Sequence, residues 1–492
     1  MREVFLGIDL GTSSVKAVLV DERASVLAVA QETYGIDRSV PLWAEQDPQQ
    51  WWRATSAAIQ SLLRQSDVKV VGIGLAGQMH GLVMLDLNYA PTRPAIIWSD
   101  GRASDELKKW TSLISPARVE QISGFPISLG MMGLSLTWVM DHEPAVYAQT
   151  HIVMSPKDYV RMRLTGVCAT EPTDAGGTLL FDIRKGSMSA EILSAVGLRD
   201  DLFAPIVPSL SVSGEITSTA AAATGLAAGT PVAAGGSDQA MAALALGLED
   251  TNRAAVALSS GGTVFKRTTI PLDHARGLHV MPDAVEGKWL AMGVVLSAGL
   301  GVNWLAGQLL GKDASPQAIT ALLAAAEGVE AGSEGLLFSP HLGGTRTPVV
   351  DSTVRGSLIG LGFRHGSEHV ARAMVEGVCI ALRHSIESMS DTDEPVRELV
   401  ISGGLARFRV WRQTLSDVTG LPVHVSSDLE HSALGAAYAG ARAIARAIDV
   451  DLSARVSTTH VPDPRSEAVY ADLSNELRSV ENVLAHRKES LK

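Results

Sequence analysis

The chain has 492 residues, 46% of them hydrophobic, and a formal net charge of −12. This length exceeds what one hydrophobic core usually holds, so we expect two large domains. The negative charge argues against nucleic acid or an anionic membrane as the main partner, and no apolar run approaches the roughly 18 to 20 residues of a membrane span. The two cysteines, Cys168 and Cys379, lack zinc or disulfide spacing, which fits a reducing cytoplasm.

The chain opens with two β-rich apolar runs, at residues 4–8 and 15–20, joined by a short turn. Asp9 follows the first run, and the turn reads Gly11-Thr12-Ser13-Ser14. Backbone N–H groups and small hydroxyls in such a turn can hold a phosphate. Asp9 would then act through a bound Mg²⁺ and its waters, because carboxylate and phosphate repel each other. Taken alone, the segment is more typical of a plain hairpin turn.

The first half of the chain alternates β-type runs, at 68–76, 83–87 and 95–98, with helical patterns such as 48–64. This alternation indicates an α/β fold. Farther on, a strand runs into Gly235-Gly236-Ser237-Asp238, and a helical pattern follows it. We expect a domain boundary next to Glu249, which divides the chain into domains 1–248 and 249–492.

The second half restarts the opening pattern. Strands predicted at 254–259 and 264–269 flank the turn Ser260-Gly261-Gly262-Thr263, which suggests two domains of related design. A later strand, 397–402, ends in Gly403-Gly404 before a helix. Glycine turns at four strand ends indicate a nucleotide held between two phosphate loops across a cleft. Neither a GxxxxGK[ST] segment nor a GxGxxG after the first strand is present, so a Walker-type site is not supported.

The most specific motif is residues 356–361 followed by 369–376, which resembles a signature of the FGGY carbohydrate kinases. These enzymes are relatives of hexokinase, actin and chaperone ATPases, and the resemblance covers essentially the whole chain. Segments 41–48, 77–81 and 93–102 look like the xylulokinase branch of the family. The resemblance implies an α/β fold of two actin/hexokinase-like (ribonuclease H-like) domains that flank a catalytic cleft.

The resemblance also implies ATP-dependent phosphorylation of D-xylulose to D-xylulose 5-phosphate. Asp238 would be the catalytic base, and Asp9 would lie near Mg²⁺ and the γ-phosphate, with both carboxylates reaching the metal through water. The sugar would be bound by Gln78, Met79, His80, Trp98, Asp100, Asp238 and Gln239. ATP would be held by Gly11, Thr12, Ser13, Lys16, Gly261, Gly262, Thr263, Gly299, Gly403, Gly404 and Leu405.

Local sequence leaves other interpretations for these residues. Asp238 after Gly236 is also typical of a helix N-cap. His80 after an apolar strand is commonly a buried, hydrogen-bonded side chain. Thr12 and Thr263 are as typical of turn stabilisation as of phosphate binding.

The chain departs from the family pattern at three places. Ser135 stands where a lysine is usual, Gln239 replaces an asparagine, and Gly262-Thr263 replaces the usual second phosphate loop. The alternatives are therefore a kinase for another ketopentose such as ribulose, a polyol or an aldonate, or a non-catalytic actin-like nucleotide switch. We expect the sugar and ATP as partners in the cytoplasm, with no nucleic acid or membrane, and a homodimer is compatible with the sequence.

Overall fold

Two seven-stranded β-sheets with flanking helices form the two halves of the protein. The computed structural model describes residues 1–249, 252–272, 277–311, 313–351, 353–389, 395–427, 430–448 and 455–486. The strands are β1 (Arg2–Leu10), β2 (Ser14–Val20), β3 (Val26–Thr33), β4 (Glu45–Gln46), β5 (Val68–Gly77), β6 (Val83–Leu85), β7 (Ala95–Ile96), β8 (Ile152–Met154), β9 (Phe181–Asp182), β10 (Ser187–Met188), β11 (Val212–Glu215), β12 (Pro231–Ala233), β13 (Gly236–Ser237), β14 (Arg253–Leu258), β15 (Gly262–Thr268), β16 (His279–Pro282), β17 (Trp289–Val295), β18 (Leu337–Ser339), β19 (Ser357–Ile359), β20 (Glu398–Ser402), β21 (Val423–Ser426) and β22 (Val456–His460).

The α-helices are α1 (Pro48–Arg64), α2 (Ser104–Leu113), α3 (Pro116–Ser123), α4 (Met132–His142), α5 (Pro144–Gln149), α6 (Pro156–Thr165), α7 (Pro172–Gly176), α8 (Ala190–Val196), α9 (Ser218–Thr224), α10 (Asp238–Ala245), α11 (Gly299–Trp304), α12 (Pro316–Glu327), α13 (Ser367–Ser388), α14 (Arg409–Thr419), α15 (His431–Ala443) and α16 (Glu467–His486). Short 3-10 segments lie at Asp200–Leu202, Ser333–Gly335, Gly404–Arg407 and Pro464–Ser466, and a π-helical turn spans Leu305–Leu309. Within the described ranges, no helix is both long and apolar enough to cross a membrane.

The two sheets repeat one strand pattern. In the first sheet the order is β11-β12-β5-β1-β2-β3, with β13 also beside β5; β1, β2 and β3 are antiparallel, and β5 and β12 run parallel to β1. The second sheet has the order β16-β17-β15-β14-β20-β21-β22, in which β14, β15 and β17 are antiparallel and β20 and β21 run parallel to β14. The repetition confirms the predicted fold of two related α/β halves.

The predicted turn at residues 260–263 is shorter in the structure, because strand β15 begins earlier than expected. Gly262 and Thr263 were expected in the turn between two strands, but they pair with Leu258 and Ala257 as the first residues of β15. The ladder continues to that point because each backbone group that joins it gains a hydrogen-bond partner. The connection between β14 and β15 therefore consists of residues 259–261.

The central strand β1 has two different faces. Leu6, Ile8 and Leu10 pack into one core with Trp51 of helix α1. Because successive side chains of a strand point to opposite faces, Gly7 and Asp9 share the other face. The sequence of β1 therefore places its aspartate on the face opposite α1, at the end of the strand.

Helix α15 comes late in the chain but lies on this second face of the first sheet. A Cβ added at Gly7 of β1 would be 1.9 Å from the carbonyl oxygen of Ala433. One added at Gly74 of β5 would be 1.9 Å from the carbonyl oxygen of Ala436. The helix backbone thus contacts the sheet backbone directly, and only glycine permits this approach.

Helix α10 packs against α15 in the same way. A Cβ at Gly435 of α15 would lie 1.8 Å from the carbonyl oxygen of Met241 of α10. The two helices therefore cross with almost no side-chain spacing between them. This crossing fixes the end of β1 relative to the start of α10.

Gly74→Ala should disrupt this packing. The added methyl group cannot avoid a backbone carbonyl, so we expect a loss of about 3 kcal/mol or more in the free energy of unfolding, since overpacking in a well-packed core commonly costs 1–3 kcal/mol. Urea unfolding measures it. The control is Gly35→Ala, whose Cβ would meet no heavy atom within 4 Å and should change stability by less than about 0.5 kcal/mol. Equal midpoints for the two variants would contradict the close contact.

Candidate active site

Two aspartates lie at the ends of the elements that the α10–α15 crossing brings together. Asp9 is the second-last residue of β1, and Asp238 is the first residue of α10. The N-cap of α10 is Ser237, whose side chain accepts from the backbone N–H of Ala240. The capping bond is therefore made without Asp238, whose Oδ1 accepts from the next backbone N–H, of Gln239, at 2.7 Å.

The two carboxyl groups hold their protons more tightly than usual. Burial, together with the charge of Asp238, raises the pKa of Asp9 to about 7, although Lys16 opposes the shift. Burial raises the pKa of Asp238 to about 6, against the hydrogen bond from the Gln239 N–H. Oδ1 of Asp9 is buried and has no hydrogen-bond partner among the described residues. Two such neighbouring carboxylates are stabilised by a cation or by a proton donor.

These carboxylates fit the way in which proteins bind Mg²⁺. Mg²⁺ usually takes one or two carboxylates and completes its shell with water and substrate phosphates. The unpartnered Oδ1 of Asp9 would accept a hydrogen bond from a water in such a shell. In the part of the chain that the structure describes, no group of three or more His, Cys, Asp and Glu residues is placed to hold a metal alone, so phosphate and water would have to supply most of the shell.

The first predicted phosphate turn is held by side chains from several segments. The N–H of Gly11 donates to the carbonyl of Ser14 at 3.0 Å, and the hydroxyl of Tyr34 donates to the carbonyl of Gly11 at 2.5 Å. The indole N–H of Trp98 donates to Oγ1 of Thr12 at 2.9 Å. One predicted sugar residue therefore contacts one predicted phosphate residue. Ser13 lies in the same turn, and its carbonyl accepts from the N–H of Tyr34.

Lys16 bonds to the second half of the chain. Its Nζ lies 2.7 Å from Oε2 of Glu430, the residue before α15. Lys16 also stands opposite Asp9 in the pairing of β1 with β2. The charge of Lys16 acts on Asp9 through space and opposes the rise in the pKa of that carboxyl.

The predicted nucleoside residues come together around a cavity of about 260 Å³. Its lining includes Ser259, Ser260, Gly299, Asn303, Gly404, Leu405 and Arg407. Gly403, the residue before Gly404, has φ 92°, and a Cβ added at Gly403 would lie 2.3 Å from the carbonyl oxygen of Leu258. Glycine is needed at this position both for the left-handed backbone and for the approach to β14. Gly261 lies one residue beyond this cavity, and its carbonyl accepts from the N–H of Ser259 at 2.9 Å.

The predicted sugar residues Gln78, Met79 and His80 follow β5 directly. Nε2 of Gln78 donates to Oε1 of Gln46 at 3.1 Å, and Oε1 of Gln78 is buried with no partner in the part of the chain that the structure describes. Nδ1 of His80 lies 2.6 Å from the carbonyl of Gly177. Because a carbonyl only accepts, Nδ1 carries the proton, and burial lowers the pKa of this ring. His80 is therefore neutral, with Nε2 as an acceptor.

Asp100 is placed differently from the other sugar residues. It is 4% exposed, and its two oxygens accept from the N–H of Ala44 and from the backbone and guanidinium of Arg102. That guanidinium in turn lies 3.8 Å from the centre of the Trp43 ring. These bonds use both carboxylate oxygens, so Asp100 shapes the wall that carries Trp98, which is 48% exposed.

A buried charged cluster lies next to the turn that precedes Asp238, and sequence reasoning missed it. Nζ of Lys157 donates to Oδ1 of Asp158 at 2.7 Å and to the carbonyl of Ala234 at 3.1 Å, and it lies 3.3 Å from Asp174. Lys157 and Asp158 are fully buried. The lysine thus binds the backbone of the turn that leads to Asp238. Adjacent Lys and Asp residues in a helical pattern usually indicate a solvated face, so only the tertiary structure shows this role.

Comparison with known proteins assigns the chain to a family. Residues 4–245 match the N-terminal domain of the FGGY family of carbohydrate kinases, and residues 259–444 match its C-terminal domain. The chain therefore belongs to the FGGY family of carbohydrate kinases.

Within the family, similar proteins include several xylulose kinases. The xylulose kinase of Escherichia coli is 35% identical over 95% of this chain and 96% of its own length, and that of Bacillus subtilis is 33% identical over 89% and 87%. Among solved structures, the xylulose kinase from Rhodospirillum rubrum superposes with a TM-score of 0.92 at 30% identity and covers 98% of this chain and 99% of its own.

In the absence of substrates and metal, Asp9→Asn should make the protein more stable than the wild type at alkaline pH. The folded pKa of Asp9, about 7, lies above the ordinary value of 3.8, so ionisation opposes folding as pH rises between the two values. The neutral isostere removes this cost, and we expect a gain of about 1 kcal/mol, or roughly 2 °C in Tm, at about pH 8. The gain should shrink towards about pH 5, where wild-type Asp9 is protonated.

Thermal unfolding at both pH values tests this expectation. Asp67→Asn, at an exposed aspartate, is the matched control and should leave Tm unchanged at either pH. A Tm for Asp9→Asn that is equal to or below that of the wild type at about pH 8 would contradict the buried, unpaired carboxylate.

Proposed function

We propose that this protein transfers the γ-phosphate of ATP to D-xylulose and so forms D-xylulose 5-phosphate, with Mg²⁺ as the cofactor. The similarity to xylulose kinases over nearly the whole chain supports the sugar. The observation that carries the proposal is the pair of aspartates with raised pKa values, Asp9 at the end of β1 and Asp238 at the start of α10, both in the first half of the chain. A nucleotide-dependent switch of the actin type would need no second carboxylate with a raised pKa beside a sugar-sized polar wall.

Asp238 is proposed as the general base. A pKa of about 6 leaves its carboxylate ionised at neutral pH, yet more basic than an ordinary aspartate. The terminal sugar hydroxyl gives its proton to this carboxylate as its oxygen bonds to the γ-phosphorus and the bond to the ADP oxygen breaks. The hydrogen bond from the N–H of Gln239 fixes the carboxylate for this step. Positioning and charge stabilisation supply most of the catalysis of phosphoryl transfer.

The other residues are proposed to position the two substrates. Mg²⁺, when bound, would neutralise charge on the phosphates, and Asp9 would hold it through water. The turn at Gly11, Thr12 and Ser13 would receive phosphate oxygens on one side of the cleft, and Gly261, Gly262 and Thr263 would receive them on the other. The cavity beside Gly299 and Gly404 would take the nucleoside.

The division into residues 1–248 for the sugar and the base and 249–492 for the nucleotide is part of this proposal. The division of the sequence does not coincide with the packing at helix α15, because this helix belongs to the second half of the chain but packs on the first sheet. The crossing of α10 and α15 would then act as the pivot about which the halves close on ATP. The homodimer and the cytoplasmic location expected from the sequence stay predictions.

A direct ADP-release assay with a sugar panel tests the proposed reaction. D-xylulose should give the highest kcat/KM, compared with D-ribulose, ribitol and gluconate. The panel includes gluconate because the gluconokinase of Bacillus licheniformis is 26% identical over the whole chain. ADP release that is equal with and without every sugar would contradict the proposal and favour the nucleotide switch.

Asp238→Asn tests the base. It removes the proton acceptor with little change in volume, so we expect kcat to fall by roughly two to four orders of magnitude. ATP affinity and Tm should stay close to those of the wild type, and Asp67→Asn should keep full activity. A folded Asp238→Asn enzyme with more than about a tenth of the wild-type kcat would contradict this role.

Gln239 is the departure from the family pattern that lies nearest the base. Its side chain is one methylene longer than asparagine, so we expect it to reach a hydroxyl next to the reacting one. Gln239→Asn should then shift the ratio of kcat/KM for D-xylulose to that for D-ribulose by about 1 kcal/mol, or roughly fivefold, as expected for one hydrogen bond. An unchanged ratio would place the Gln239 side chain outside the sugar site.

A further inference from the structure

A second histidine reaches the sugar side of the cleft from the other half of the chain. His279 is the first residue of β16, in the second sheet. The centre of its ring lies 5.1 Å from that of Phe125, and the centre of the His80 ring lies 5.7 Å from the same phenyl ring. One phenyl ring of the first half therefore contacts two histidines, one from each half.

The backbone of β16 is attached to the first half of the protein beside this phenyl ring. The N–H of Val280 donates to the carbonyl of Gly124 at 2.8 Å. A Cβ added at Gly124 would lie 1.8 Å from the carbonyl oxygen of Val280. A second bond, from the indole N–H of Trp289 to the carbonyl of Ile183 at 3.3 Å, holds the paired strand β17. His279 is thus positioned by contacts with the first half, although it belongs to the second.

The chemistry of His279 suits an uncharged polyhydroxy ligand. Burial, with further contributions from His80 and Arg346, lowers the pKa of His279 to about 3. The ring is therefore neutral at any working pH and presents one N–H donor and one nitrogen acceptor. Phe125 is 1% exposed, so its ring supports the two histidines rather than a ligand, while His80 offers a second acceptor at Nε2. A hydroxylated carbon chain can pair with both histidines.

We propose that His279 is a sugar-binding residue supplied by the second half of the chain, which pairs with a sugar oxygen other than the hydroxyl that faces Asp238. This inference rests on the proposed sugar kinase function and extends its sugar site from one half to both. The docking of β16 on Gly124 then becomes part of sugar recognition. Sugar affinity depends on this contact even without nucleotide.

Three replacements of His279 separate hydrogen bonding from packing. His279→Phe keeps the contact with the Phe125 ring but removes both polar nitrogens. His279→Ala removes the ring contact as well as the nitrogens, and His279→Gln restores a hydrogen-bond donor and an acceptor. We expect the Phe and Ala variants to raise the KM and the calorimetric Kd for D-xylulose about tenfold or more, as for one lost hydrogen bond in a polar site. The Gln variant should recover part of the loss, and the KM for ATP should stay within about twofold in all three.

Gly124→Ala tests the docking independently of the histidine. Its methyl group would collide with β16, so the Kd for D-xylulose should rise as it does in His279→Phe. Gly197→Ala is the matched control, because Gly197 has φ 77° close to the 80° of Gly124 but a Cβ there would meet nothing within 4 Å. This control carries the same backbone strain without the collision and should bind sugar as the wild type does. Thermal unfolding of both variants confirms that folded protein is compared.

The outcomes distinguish this inference from the proposed function. If the wild type phosphorylates D-xylulose and His279→Phe binds and phosphorylates it equally well, the role of His279 is overturned and the kinase function stands. If the wild type phosphorylates no sugar of the panel, the proposed function fails, and calorimetry with D-xylulose decides the role of His279. If the wild type binds D-xylulose and His279→Phe does not, the role of His279 is supported. If both proteins bind D-xylulose equally, or neither binds it, the role of His279 is overturned.

Discussion

The direct backbone contact of helix α15 with strands β1 and β5 determines how the rest of the molecule is arranged. Gly7 and Gly74 allow the helix to lie against the sheet without side-chain spacing. Asp9 follows Gly7 by two residues on the same face, so the contact also sets where this carboxylate meets the second half of the chain. Glu430, just before α15, reaches Lys16 from there. These glycines thus allow the two halves, which share one strand pattern, to pack closely together. The positions of the charged groups follow from this close contact of α15 with the first sheet.

Charge is buried around this cleft at a cost to stability. Asp9, Asp238 and Asp174 all have raised pKa values, mainly because burial disfavours their ionised forms. A fold selected only for stability would replace such groups with apolar side chains of similar volume. Here Lys157 offsets part of the cost and holds the carbonyl of Ala234, so the same cluster that neutralises charge also fixes the turn before Asp238. Strained or costly polar groups of this kind concentrate at functional sites.

The sequence predicted the parts of the site that depend on local chain geometry. Glycine turns after β-type runs predicted Gly11 and Gly403 as site residues, because open α/β sheets bind ligands beyond the carboxyl ends of their strands, whereas Gly299 was expected only from the family resemblance. It could not predict contacts that arise only when distant segments pack. His279 is an ordinary histidine in an apolar run, and nothing in its neighbours reveals that β16 docks beside Phe125. Gly262 and Thr263 were placed in a turn, since only strand pairing shows that the ladder extends to them. The roles of the individual site residues stay predictions.

The bond between the indole of Trp98 and the hydroxyl of Thr12 links substrate recognition on the two sides of the reacting bond. A hydroxyl that accepts the indole N–H keeps its own proton for another acceptor, which under the proposed function would be a phosphate oxygen. Under the same proposal, a sugar packed against the half-exposed indole would also stiffen the hydroxyl that meets the nucleotide. Linkage would then make the benefit mutual, with each substrate tightening the binding of the other by the same factor. Under the proposed function, the strength of this one bond would set how far each substrate improves the binding of the other.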